Sequence, residues 1–258
     1  MKIVILYSGG LDSLMMYKYA KLQYPGASVR CVFFDHGQDS LHAELEALPD
    51  FVEVRRLDWL GSEIKPIPKK SDPFAGPIYI PGRNLVFAAT VASQYLPDEV
   101  WLGALADENN DQATDKNTTF LDKLNDTLKY VLSPFVGSVK VRFPFVDAGF
   151  TKSIALSYLF LAGVITEEEV KSTTSCWYNL SIPCGVCKQC FKRALILDQY
   201  SITEEHLNDP LSEENKNTMA LMRAYMDCKN PNADEAEVQR LIRSHLIRKA
   251  DLMELKGH

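Results

Sequence analysis

The sequence predicts an α/β fold: a doubly wound parallel sheet with a cysteine knot and a helical C-terminal subdomain. Three observations lead there. Short β-branched runs alternate with helix-patterned segments over residues 2–162. A glycine-bearing polar turn separates the first run from the first helical pattern. Four cysteines crowd into residues 176–190, and beyond residue 200 only helical patterns remain. Alternation of this kind demands parallel pairing through right-handed crossovers.

The elements read in order as follows. Residues 2–7 (Lys-Ile-Val-Ile-Leu-Tyr) are a β-branched apolar run of the sort buried on both faces of a parallel sheet. A turn from Ser8 to Ser13 precedes a helical pattern over Leu14–Tyr24, which stops before Pro25. Val29–Phe34 is a second buried strand, Leu41–Leu48 a helix and Phe51–Leu57 a third strand. Residues 59–81 hold Pro66, Pro68, Pro73, Pro77 and Pro81 and read as a long loop of the lid or binding type. A helix over Asn84–Tyr95 and a strand over Glu99–Gly103 follow, then a polar loop at 105–118. Next come a helix at Thr119–Leu132, a short strand at Ser138–Arg142 and a helix at Thr151–Ala162. Helical patterns at Glu213–Cys228 and Asp234–Arg248 close the chain. The organisation expected is an α/β domain over 1–170, a metal-binding segment over 171–199 and a helical extension over 200–258.

Of the 258 residues, 46% are hydrophobic and 24% charged, so the chain can bury a proper core and is not composed like a disordered one. The formal net charge of -6 disfavours nucleic acid as a main partner, because that grip rests on phosphate neutralisation by Lys and Arg. No stretch reaches the roughly 20 apolar residues of a membrane span, and the opening MKIVILYSGG is no signal peptide. A cytoplasmic enzyme is the expectation.

Ser8-Gly9-Gly10-Leu11-Asp12-Ser13, between a strand and a helix, has the makings of a phosphate cradle. Glycines let the backbone approach an anion, amides point inward, and the helix N-terminus adds partial positive charge. Ser8 and Ser13 can donate to the same oxygens, and Asp12 suits a magnesium ion bridging phosphates. A simple turn with an N-cap is the plainer alternative. The hexapeptide resembles the pyrophosphate loop of the N-type ATP pyrophosphatases, whose fold is adenine nucleotide α-hydrolase-like. The resemblance implies ATP cleavage between its α and β phosphates, with adenylation of a carboxylate or carbonyl oxygen. A Walker A loop would carry a Lys before its Ser/Thr, and none stands here.

Cys176, Cys184, Cys187 and Cys190 are separated by seven, two and two residues. Four thiolates with no histidine nearby favour a structural tetrahedral zinc; an iron–sulfur cluster and a redox pair stay open. Cys31 and Cys228 read as packing residues.

Several segments resemble the 7-cyano-7-deazaguanine (preQ0) synthase family. They are Phe34-Asp35-His36-Gly37-Gln38, Ile80-Pro81-Gly82-Arg83-Asn84, Phe143-Pro144 with Thr151-Lys152, and the cysteine run. The resemblance implies an ATP-dependent carbon–nitrogen ligase that adenylates 7-carboxy-7-deazaguanine, forms the amide from ammonia, and dehydrates it with a second ATP. ATP, Mg2+ and Zn2+ are the implied cofactors, and a homodimer the implied assembly. It assigns Asp12, Arg83 and Lys152 to catalysis, and Ser8, Gly9, Gly10, Leu11, Asp12, Ser13, Asp35, Gln38 and Asn84 to nucleotide binding. The four cysteines fall to the metal. Each also has a local reading: helix-start cations for Arg83 and Lys152, an N-cap for Asn84, turn stabilisers for Asp35 and Gln38. This chain departs from the family at Leu14, where Thr is usual, and over residues 105–120, where an Arg-Pro-Glu core is lost. The departure over 105–120 motivates one alternative, a different carboxylate on a base, peptide or protein. A tRNA-modifying adenylase or thiolase, a class that shares the SGGxDS loop and often carries cysteines, and a non-catalytic nucleotide-binding or zinc scaffold are the others.

Overall fold

The computed structural model describes residues 1–63, 80–109, 115–133, 137–178 and 180–256. Residues 64–79 of the proline-rich stretch and 110–114 of the acidic segment, both read from the sequence as loop, lie outside these. The chain divides into two compact units, one running to Thr174 and one beginning at Ser175.

The first unit is built on five parallel strands in the order β3-β2-β1-β4-β5. These are β1 (Lys2–Leu6), β2 (Ser28–Asp35), β3 (Val52–Arg56), β4 (Glu99–Trp101) and β5 (Lys140–Arg142). Ile3, Val4 and Ile5 of β1 are all buried, as a central parallel strand covered on both faces requires. Val4, Val32, Phe34, Val100 and Val141 face one layer. There they meet Ala88, Val91 and Ala92 of α4 (Arg83–Tyr95) and Leu121, Leu124 and Leu128 of α5 (Thr118–Leu132). On the other face lie α1 (Leu11–Gln23) and α7 (Lys152–Leu161). Tyr19 of α1 packs its ring against Trp101 and Phe145 there. Among the described residues strand β5 is an edge strand, and Asn125 of α5 covers part of that edge: Nδ2 donates to Val141 O at 3.0 Å and Oδ1 accepts from Val141 N at 2.7 Å.

Strand order reverses at β1, with β2 on one side and β4 on the other, so the crevice beyond their carboxyl ends is the sheet's topological switch point. Ser8 follows β1 at that point.

The sequence reading differs from the structure in a few places. Helix α1 begins at Leu11 instead of Leu14, because Gly10 O already accepts from Leu14 N at 3.2 Å. Leu11, Asp12 and Ser13 therefore form the first helical turn. Asn84 is not an N-cap: Gly82 holds that position, and Asn84 lies inside α4 with Nδ2 donating to Asp115 O at 3.1 Å. The pattern anticipates the short helix α2 (Leu41–Glu46) but misses three short helices, α3 (Asp58–Glu63), α6 (Pro144–Asp147) and α8 (Glu167–Lys171), and the longer α9 (Lys188–Asp198). Local signals set them, such as the Thr166–Glu169 capping box at α8 and a proline at the first position of α6.

The second unit carries α9, α10 (Lys216–Met226) and α11 (Ala233–Lys256). Asn215 caps α10 by accepting from Asn217 N and Thr218 N. Arg193 of α9 makes a two-pronged ion pair with Glu204, both nearly buried. Asp198 at the end of α9 pairs with His245 and Arg248 of α11. Among the described residues no helix is long and apolar enough to cross a membrane.

Candidate active site and metal centre

The loop after β1 is tightly built. Gly9 stands at φ +73°, and a Cβ there would lie 2.9 Å from Glu44 O, so only glycine fits. Its carbonyl accepts from Thr174 N at 3.0 Å. Ser13 Oγ donates to Gly10 O at 2.7 Å, Ser8 Oγ lies 3.5 Å from Ser13 Oγ, and Gly10 N donates to Ser8 Oγ at 3.4 Å. The amides of Leu11 and Asp12, in the first turn of α1, have no intrahelical acceptor. The result is a compact donor-rich turn at a helix N-terminus, suited to an anion.

Asp12 and Lys152 meet over this loop, Oδ2 to Nζ at 3.0 Å, although their helices α1 and α7 stand at opposite ends of the unit's sequence. The other carboxylate oxygen, Oδ1, is buried and has no hydrogen-bond partner among the described residues. Leaving such an oxygen unpaired is costly in a folded protein. A divalent cation fits it: a hard oxygen ligand beside an anion cradle is the donor chemistry magnesium takes.

Arg83 opens α4 and forms no ion pair with a described residue. Its charge reaches His36, which follows β2, and Lys116. Lys116 Nζ lies 3.2 and 3.3 Å from the two carboxylate oxygens of Glu108, and Glu108 together with Asp12 holds the Lys116 ammonium above its ordinary value. Asp12, Lys152, Arg83, Lys116 and Glu108 thus form one charged neighbourhood. Asp35 and Gln38, by contrast, serve the turn after β2. Asp35 Oδ1 accepts from Gly37 N at 3.2 Å, and Gln38 accepts from His36 N at 3.0 Å while donating to Glu44 at 2.6 Å.

His36 is buried, its ring against Phe87 at 5.5 Å. Burial, then the Arg83 charge, pushes its pKa down to about 4 from an ordinary 6.5. The unfolded chain therefore binds the proton more readily between those values. Stability from keeping this ring neutral is complete above pH 6.5 and is lost as pH falls to about 4. A His36→Phe variant should show a shallower fall in urea midpoint across that window than the parent; equal slopes would assign the acid limb to other groups.

In the second unit the sulfurs of Cys176, Cys184, Cys187 and Cys190 all lie within 4.8 Å of one another, and all four residues are buried. Cys184 and Cys190 sulfurs are 3.9 Å apart. A tetrahedron of thiolates at ~2.3 Å from one ion has edges of about 3.8 Å. In a 4Fe–4S cluster each thiolate takes its own iron, which spreads the sulfurs further. Main-chain amides of Cys184 and Tyr178 donate to Cys176 Sγ at 3.4 and 3.5 Å, Val186 N to Cys184 Sγ at 3.4 Å, and Cys190 N to Cys187 Sγ at 3.5 Å. Such bonds stabilise thiolate charge and orient ligands. Hydrogen bonds from Cys176 and Cys190 hold the Cys187 thiol well below its ordinary range, while burial pushes Cys184 up to about 11. The donor set fits a single metal ion.

Residues 207–215 hold this knuckle from outside. Leu207 N donates to Pro183 O at 2.9 Å, Asn208 Nδ2 to Cys184 O at 3.0 Å, and Asn215 Nδ2 to Gly185 O at 3.1 Å. Cys31 and Cys228 stand apart. Burial pushes the Cys31 thiol up to about 12, and Cys228 Sγ donates to Glu235 at 3.6 Å.

A family model described as "Queuosine biosynthesis protein QueC" matches residues 62–201, over half of the chain and including Arg83, Asn84, Lys152 and the four cysteines. The chain belongs to the QueC family. Among its relatives, the 7-cyano-7-deazaguanine synthase of Pyrococcus furiosus is 27% identical over 231 residues, covering 74% of this chain and 90% of the relative. That of Methanosarcina mazei is 26% identical over 251 residues, covering 83% and 98%. The solved U34-tRNA thiolase NcsA of Methanococcus maripaludis, with its 4Fe–4S cluster, aligns over 88% of this chain and 71% of its own. Its 15% identity and TM-score of 0.39 are too slight to bear on function. Sequence reasoning about this QueC-family chain missed Lys116 and Glu108 as parts of the charged neighbourhood, and the buried His36 ring beside it. Lys116 and Glu108 lie in a segment that departs from the family, and no local pattern marks them.

Proposed function

We propose that this chain is an ATP-dependent carbon–nitrogen ligase that converts 7-carboxy-7-deazaguanine and ammonia into 7-cyano-7-deazaguanine. The observation that carries this reading is the buried, unpartnered Asp12 Oδ1 beside Lys152, set over a glycine-built anion cradle at the switch point of the sheet. The names of the relatives supply the acceptor.

In this reading Ser8, Ser13 and the amides of Gly9 to Leu11 hold the β and γ phosphates of ATP. Asp12 would hold magnesium, which would neutralise charge on the departing pyrophosphate. Lys152 and Arg83 add positive charge where the transition state accumulates negative charge. A carboxylate oxygen of the acceptor forms a bond to the α-phosphorus as the bond to pyrophosphate breaks, giving an acyl-adenylate. Ammonia displaces AMP to give the amide. A second ATP adenylates the amide oxygen, and loss of AMP with the nitrogen's protons leaves the nitrile. Asp35, Gln38 and Asn84 border the nucleotide from the carboxyl end of β2 and the start of α4. The metal in the cysteine knot is zinc and structural, since four thiolates leave no open position. Residues 1–170 carry the chemistry, 171–199 the zinc and 200–258 the support of the knuckle, in a cytoplasmic homodimer.

Zinc-loaded protein given ATP, magnesium, ammonium and 7-carboxy-7-deazaguanine should yield the nitrile, AMP and pyrophosphate, read by mass spectrometry. An amide that accumulates would limit the chain to the first half-reaction. ATP binding without turnover of this acceptor would overturn the assignment in favour of a different carboxylate, read by residues 105–120.

A further inference from the structure

Adenylation brings two anions together, the acceptor carboxylate and the triphosphate. A cation not already committed to the phosphates is needed to seat the first against the second. Lys152 is engaged by Asp12 at 3.0 Å. Lys116 is differently placed. Its neighbours in the chain are fixed: Asp115 O accepts from Asn84 Nδ2 at 3.1 Å, and Asn117 Oδ1 caps α5 by accepting from Phe120 N at 2.8 Å. The first of these bonds ties the segment to the opening turn of α4, next to Arg83. Backbone fixed on both sides leaves only the Lys116 side chain to move.

Its partner is equally well located. Glu108 ends the 3-10 turn Ala106–Glu108 that follows β4, the strand across the switch point from β1. Leu105 N donates to Glu108 Oε2 at 3.4 Å, which pins the carboxylate at the carboxyl end of that strand. The Lys116–Glu108 pair is about a third exposed on each side. Burial works against the Lys116 charge, so the ammonium needs a carboxylate beside it, and one carboxylate can replace another there with little net change. Asp12 and Arg83 both act on the Lys116 charge, so the pair borders the same crevice as the anion loop.

We propose that Lys116 grips the carboxylate of the acceptor, and that Glu108 occupies the same ammonium until the acceptor displaces it. The inference rests on the ligase reading above and deepens it, naming the residue that recognises the reacting group. It also accounts for the departure at residues 105–120: the family's Arg-Pro-Glu core is gone, and a lysine tethered by its own chain neighbours takes up the cationic role.

The test is equilibrium binding of 7-carboxy-7-deazaguanine and of 7-deazaguanine, which lacks the carboxylate. The full zinc-loaded chain is used with magnesium and an ATP analogue bridged by methylene between the α and β phosphates. The parent should prefer the carboxylated base. Lys116→Met should lose that preference by roughly tenfold to a hundredfold, the range of a charge-assisted hydrogen bond, and Lys116→Arg should restore much of it. Glu108→Gln should tighten binding of the carboxylated base, because the competing carboxylate is gone. Affinity for the ATP analogue should stay unchanged in all three. A purely structural ion pair predicts the same sign for Lys116→Met and Glu108→Gln, so weakening in both overturns the proposal, as does a preference that survives Lys116→Met. A parent that binds neither base sinks the ligase reading, and the Lys116 assignment with it.

Discussion

An Asp12→Asn variant is expected to lose turnover by about a thousandfold or more while keeping its fold. The side chain keeps its shape but no longer offers a charged oxygen to a cation, and several kcal/mol of charge stabilisation in the transition state disappear with it. The fold should not suffer. In the parent, Asp12 Oδ1 is buried without a partner among the described residues, so removing the charge relieves a desolvation penalty. A melting midpoint equal to or above that of the parent, together with absent pyrophosphate release at any magnesium concentration, is the expected pair of results. Retained turnover would remove Asp12 from the metal role. A collapsed fold would make it a structural partner of Lys152 instead.

The second large effect is expected from Gly185→Ala. Gly185 stands at φ +71°, and a Cβ built there would lie 1.6 Å from Asn208 O and 2.6 Å from Asn208 C. The obstacle is main chain, so no rotamer change relieves it, and either the knuckle or residues 207–215 must give way. Loss of several kcal/mol follows from the clash, the left-handed backbone and the metal binding that depends on the local shape. The measurements are bound metal per chain and melting midpoint, with Gly137→Ala as a control, because nothing lies within 4 Å of a Cβ there. Asn208→Ala should fall between the two, removing only the donor to Cys184 O. A Gly185→Ala protein that binds metal and melts like the parent would detach residues 207–215 from the metal centre.

Much of this was legible in the sequence because its causes are local. The buried run Ile3-Val4-Ile5, the glycine turn after it and the cysteine spacing each announce themselves within a few residues. The start of α1 was misplaced because a polar, glycine-bearing stretch reads as loop whether or not its last three residues have begun to coil. Asn84 was given a capping role on residue type alone, and a long-range bond to Asp115 O, invisible to pattern, took its side chain elsewhere. The ion pair of Asp12 with Lys152 and that of Lys116 with Glu108 are products of tertiary packing. No spacing rule encodes them.

The bond from Thr174 N to Gly9 O has a consequence for the order of assembly. The anion loop looks like a self-contained hairpin of strand, turn and helix, yet one of its carbonyls is satisfied by the last residue of the α/β unit. Closing so large a ring is entropically slow to reward, since loop closure must come before the contacts it permits. A nascent chain that has emerged only as far as α7 would have every strand of the sheet and still lack that carbonyl's partner. The final shape of this loop should therefore mature late, after the sheet itself has formed.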